Sequence, residues 1–259
     1  LFLLLKATQG MPLYNDDHPS FWYRLWIFGR CFPRLLNYSP AWNAGNLELA
    51  GLSTGAVAPG LVLWPLWARG GIPGFYTAAV GILYALAVPL LAVASARIAG
   101  MSRSAGWAAG LLALGTSRYQ FLWWLHYGTI GANFTSAFIL PALACQYRVL
   151  TLNRREWATG LGLALSLLFL WMWPPGLVTT LALAAAAVMQ GRYWTRGKVL
   201  FLAGWTAAAG LLFLYPLACL LQGTDLLRHD WTGGCRVPGG FGRAFREGLE
   251  VLRQRAREA

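Results

Sequence analysis

The chain has 259 residues, of which 57% are hydrophobic and only 12% charged, with a mean hydropathy of +0.49. Soluble domains carry about 25% charged residues, so most of this surface is expected to face lipid, the mark of a polytopic membrane protein. A net charge of +12 could suit nucleic acid, but the arginines gather in short breaks between apolar runs, which is a topology pattern and excludes a nucleic-acid partner. The expected fold is all-α: a polytopic transmembrane helical bundle over residues 1–224, including a long first outer loop (6–73), then a polar tail over 225–259.

Leu1 to Leu5 is an apolar stub, and the chain opens without Met, so it is expected to be a fragment whose first transmembrane helix is cut short. Lys6 to Asn46 is the only long polar stretch before residue 222. Within it Asp16-Asp17 stands close to the apolar stub, where a carboxylate can be partly desolvated and its pKa shifted. Arg24, Arg30 and Arg34 could hold a phosphate or pyrophosphate. Trp22, Trp26, Tyr38 and Trp42 offer aromatic faces suited to sugar rings or lipid headgroups. Against this stands a plainer reading, in which the doublet is a solvated turn or caps a helix starting near Pro19-Ser20.

Leu49 to Trp67 is broken by Gly51, Gly55, Gly60, Pro59 and Pro65, and reads as a re-entrant or interfacial segment. Gly51-Leu52-Ser53-Thr54-Gly55 fits the nucleophile-elbow pattern, but no parallel sheet is expected to carry it. Phe75 to Ala96 is 22 uncharged residues, a full span. Ser104 to Ser117 is shorter, with Gly106 and Gly110 spaced for close helix approach. After Arg118 the uncharged run to Tyr147 opens with an aromatic turn, Trp123 to Tyr127, and the span itself is expected to start near Gly131. His126 in that turn is either an interfacial belt residue or a wall of the same cavity as the first loop. Trp157 to Gly191 is 35 uncharged residues, roughly 52 Å as one helix, so Pro174-Pro175 is expected to fold it into a hairpin. Val199 to Thr224 supplies one more span, and Phe241, Phe245, Leu249 and Leu252 mark an amphipathic helix in the tail.

Loops 97–103, 148–156 and 192–198 hold eight basic residues against the single acid Glu156. Placing all three in the cytoplasm satisfies the positive-inside rule and puts region 6–73 outside. Cys145 and Cys219 lie in apolar runs, and Cys31 and Cys235 in loops that could pair on an oxidising side.

The order Asp16-Asp17-His18-Pro19, Arg24, Pro33, Pro40-x-Trp42-Asn43-x-Gly45, then Pro59 resembles the first outer loop of GT-C superfamily membrane glycosyltransferases. It is most similar to bacterial 6-pyruvoyl-tetrahydropterin-synthase-related membrane proteins. The likeness covers residues 14–60, and such proteins are usually much longer. It implies a multi-pass protein of the bacterial inner (cytoplasmic) membrane that moves a sugar from a polyprenyl-phosphate donor to a glycan, lipid or protein acceptor. Asp17, or its neighbour Asp16, would be the general base. Arg24, Arg30 or Arg34 would stabilise the departing phosphate, and Trp42, Asn43 and His126 would line the sugar site. Two adjacent carboxylates could also hold a divalent metal. A non-enzymatic transport or polymer-export subunit, or an inactive fragment, is the competing expectation; the lack of mid-span charges speaks against ion-coupled transport.

Overall fold

A computed structural model describes residues 18–31, 55–67 and 72–228. Every regular element among them is helical: α1 (His18–Cys31), α2 (Val57–Val62), α3 (Trp64–Trp67), α4 (Ile72–Ile82), a π turn (Leu83–Ala87), α5 (Val88–Ile98), α6 (Arg103–Tyr127), α7 (Ile130–Ser136), α8 (Ile139–Leu150), α9 (Trp157–Trp171), α10 (Pro174–Met189), a short 3-10 turn (Gly191–Tyr193) and α11 (Arg196–Arg228). Two stretches, Tyr76–Ile98 and Arg196–Ala218, each of 23 residues, are long and apolar enough to cross a membrane.

Local sequence explains the breaks. Pro89 lacks an N–H and its ring crowds the carbonyl one turn back; the widened π turn that precedes it absorbs the misfit, so α4 and α5 run on as one rod. Gly128, at φ +80°, closes α6 in the left-handed conformation that glycine adopts without a Cβ penalty. Trp173 is extended because Pro174 follows it. The expected hairpin forms there: the Trp171 indole N–H donates to the Thr180 hydroxyl at 2.8 Å, tying α9 to α10 across the turn. Leu49–Trp67 is a poor straight helix as expected: the described part is two short helices separated at Leu63.

One boundary differs from expectation. Arg118 does not interrupt the chain, because α6 is a single helix of 25 residues. Arginine is a good helix former and one charge does not break a hydrogen-bond ladder. The turn expected over 117–130 shrinks to Gly128-Thr129, so His126 lies in the last helical turn. Gly106 and Gly110 do what their spacing promised. A Cβ on Gly110 would stand 2.6 Å from the Val93 side chain and one on Gly106 would be 3.2 Å from Arg97, so α6 seats closely on α5.

Side-chain contacts fix the topology. The Arg148 guanidinium donates to the Ile98 carbonyl at 3.0 Å, and the buried Lys198 ammonium donates to the carbonyls of Leu150 (2.6 Å) and Tyr193 (2.9 Å). Thr151 and Gln190 meet at 3.4 Å. The three arginine-bearing loops therefore converge at one end of the bundle, as their shared charge led us to expect. The chain alternates direction from there: α4–α5 arrives, α6 leaves, α7–α8 returns, α9 leaves, α10 returns and α11 leaves.

Two apolar cores lie between the helices. The first joins α1, α2, α4, α5 and α7 through Phe21, Leu25, Val57, Tyr76, Leu83, Ile130 and Phe134. The second joins α8, α9, α10 and α11 through Cys145, Leu163, Leu167, Leu170, Leu183 and Ala209. Phe138 touches both and stacks on Phe169 at 4.4 Å. Outward-facing positions are also apolar: Trp107, Leu111 and Leu112 on α6, Val178 and Leu181 on α10, and Leu200 and Leu211 on α11 are exposed. A soluble bundle would put charge on those faces.

Candidate functional site

At the end opposite the arginines, α1 delivers His18 into the first core. Its ring is fully buried, at 0% exposure, as is Tyr76 on α4. Nε2 stands 3.4 Å from the Leu125 carbonyl and Nδ1 is 3.0 Å from the Tyr76 hydroxyl. A carbonyl only accepts, so Nε2 donates to Leu125, while Nδ1 pairs with the Tyr76 hydroxyl. Leu125 belongs to the last turn of α6, where carbonyls lack helical partners. His18 therefore covers an orphan acceptor while joining three segments distant in sequence.

Around this node lie buried polar atoms that find no hydrogen-bond partner: Trp22 Nε1, Thr77 Oγ1, Thr129 Oγ1 and Asn133 Nδ2. Trp22 is one helical turn after His18, Thr77 adjoins Tyr76, and Thr129 is four residues beyond Leu125. Asn133, one turn after Thr129, faces the hydroxyl of Tyr84 in the π turn. An unsatisfied buried group costs about 1–3 kcal/mol, so each of these atoms would gain from a hydrogen-bonding partner. Indole and carboxamide N–H groups supply obligate donors, and the two hydroxyls can do either. No carboxylate or ammonium is among these groups, so the array suits hydroxyls, ether oxygens or water.

The sequence-derived residues fall unevenly on this frame. Arg24 lies on α1 in the same segment as His18, half-buried, its guanidinium 5.2 Å from the Phe21 ring centre. His126 is exposed at the end of α6, edge-on to Tyr127 at 4.6 Å, and directly follows the residue that His18 contacts. His18 of α1 and the last turn of α6 are thus brought to one end of the bundle. Arg30 lies in α1 by its backbone, and its side chain lies outside the described residues, as do Asp16, Asp17, Arg34, Trp42 and Asn43. The helix anticipated near Pro19-Ser20 is present from His18 onward. Among the described residues no three His, Cys, Asp or Glu side chains gather as a metal site. The amphipathic tail helix and the Cys31–Cys235 pair also fall outside the described residues, while Cys145 is buried and free.

Sequence reasoning passed over Tyr76, Thr77, Tyr84, Thr129 and Asn133. A signal was there: the apolar run 75–96 carries polar side chains at 76, 77 and 84, seven to eight residues apart, hence on one helical face. Gly55 was noticed only for an elbow pattern. At φ +72° it brings the segment before α2 against α7, where a Cβ would lie 2.9 Å from the Gly131 backbone, and a short helix rather than a strand-turn-helix follows. Comparison with protein-family models, curated proteins and solved structures gives no match.

Proposed function

We propose that the chain is a multi-pass protein of a bacterial cytoplasmic membrane and a glycosyltransferase using a polyprenyl-phosphate sugar donor. The arginine end faces the cytoplasm, and the His18 end faces the outer leaflet, where the donor's sugar is presented. One observation carries the reading: His18 is held by Tyr76 and Leu125, so the residue directly after Asp16-Asp17 is anchored at the end of the bundle opposite the three arginine-bearing loops. Support for the membrane comes from the two full-length apolar stretches and from the exposed apolar faces of α6, α10 and α11.

Asp17 or Asp16 removes the proton from the acceptor hydroxyl as its oxygen attacks the anomeric carbon. The bond from that carbon to the phosphate oxygen breaks, and the departing polyprenyl phosphate keeps the electron pair. Arg24, with Arg30 or Arg34, offsets that charge. The buried donors near His18 suit the hydroxyl and ring oxygens of a sugar, and Trp42, Asn43 and His126 complete the pocket.

The test replaces Asp16 and Asp17 separately with Asn and measures sugar transfer from polyprenyl-phosphate donors in membranes holding an active parent. Loss of a general base lowers turnover roughly 10²–10⁴-fold. If both variants keep the parent rate, the assignment is wrong.

A further inference from the structure

The arginine end carries more charge than topology needs, and its arrangement points to a ligand. Glu156 is the one acid among the three converging loops. It pairs with Arg148 at 2.8 Å and Arg154 at 3.7 Å. Lys198 is consumed by two carbonyls and Arg97 by the Met101 carbonyl. That leaves Arg103, Arg155, Arg192 and Arg196 with no carboxylate partner among the described residues. Arg155 is held by packing: its guanidinium lies against Gly197, a position where a Cβ would collide with it. Loop 148–156 is in this way pressed onto the first turn of α11, the helix that Arg196 opens. Arg154 remains two-thirds exposed at 66%, its ion pair being the longer one. Trp157, 68% exposed, follows Arg154 and Arg155 in the chain, and Trp194, 42% exposed, precedes Arg196; exposed aromatic rings of this kind favour the headgroup level.

We infer that Arg154, Arg155 and Arg196, together with Trp157 and Trp194, form a binding surface for the phosphate of an anionic phospholipid in the cytoplasmic leaflet. Clustered guanidiniums recognise phosphate by paired N–H donors, and convergence of two loops places several within reach of one headgroup. The indoles lie against the glycerol and upper acyl region. The inference rests on the membrane reading above but not on the sugar-transfer chemistry, which sits at the other end.

The full chain is purified in detergent, and its melting temperature is followed during titration with phosphatidylglycerol, phosphatidylcholine or inorganic phosphate. Phosphatidylglycerol should raise it at concentrations at least tenfold below phosphatidylcholine, with the gap closing as salt is added. Replacing Arg154, Arg155 and Arg196 together with Gln should abolish that preference, and replacing all three with Lys should restore most of it. These side chains are exposed, so both variants should fold. Equal response to both lipids, a preference surviving in the Gln variant, or an inorganic phosphate response matching the lipid would each overturn the inference. Alkaline carbonate washing of membranes separates the two readings. A chain released by the wash refutes membrane integration itself, whereas a retained chain without lipid preference refutes only the headgroup surface.

Discussion

The two ends of the bundle solve the same problem with opposite chemistry. Both must satisfy helix-terminal carbonyls that have no partner within their own helix. At the arginine end cations do it: Arg148 covers Ile98 and Lys198 covers Leu150 and Tyr193. At the other end the His18 imidazole covers Leu125 and pairs with the Tyr76 hydroxyl. A buried charge is costly unless hydrogen bonds compensate it, and buried Lys198 meets that condition with two carbonyls. The contrast teaches that the His18 end relies on a buried ring and hydroxyl, while the arginine end relies on long cationic side chains, buried at Lys198 and partly exposed at Arg148.

His18→Ala should break this contrast most severely. It empties a fully buried position and removes one hydrogen-bond partner from both the Tyr76 hydroxyl and the Leu125 carbonyl, so a loss of about 3 kcal/mol is expected. Thermal unfolding in detergent measures it, and a loss under about 1 kcal/mol would show that the node does not tie α1 to α4 and α6.

Gly55→Ala comes next, since it forces a left-handed residue to carry a Cβ that meets the Gly131 backbone; about 1–3 kcal/mol is expected. A wild-type unfolding midpoint in this variant would mean that α2 does not seat against α7 as described. Lys198→Met should then cost about 1–2 kcal/mol, less than His18→Ala because water or lipid phosphate can reach the freed carbonyls. A larger loss than at His18 would reverse the ranking of the two ends.

The smallest expected effect is a pH response at the arginine end. The Arg148 hydrogen bond, aided by the nearby positive charges, holds the Glu156 carboxyl below its ordinary value. A carboxylate with a depressed folded-state pKa stabilises at pH above its unfolded value, and that contribution fades as pH falls through the folded value. The melting temperature should therefore show a slight decline on the acid side of the usual glutamate range, absent in Glu156→Gln. An unchanged acid-side slope in that variant would remove Glu156 from the interaction.

Much of the helical layout was legible in the chain. Proline and glycine announce themselves because they act locally: Pro174-Pro175 turns the chain, Pro89 brings a π turn, and Gly106 and Gly110 admit α5. Arg118 misled, since a charge between apolar runs signals a boundary only when the helix cannot carry it through. Of the candidate site, Arg24 and His126 were visible as residue types, and the aspartate doublet as a motif. The Tyr76–His18 bond was not, because it joins positions 58 apart and neither side chain carries a local pattern.

The sequence by itself determined that this is a chain of apolar helices with basic residues gathered in three of its short loops. Composition and periodicity are sums over neighbouring residues, and such sums settle element type and direction. Only the tertiary structure decided which polar side chains are buried together, which carbonyls the cations and the imidazole cover, and that Arg155 lies against Gly197 of α11. Those depend on contacts between residues far apart in the chain, and nothing local encodes which partner will arrive.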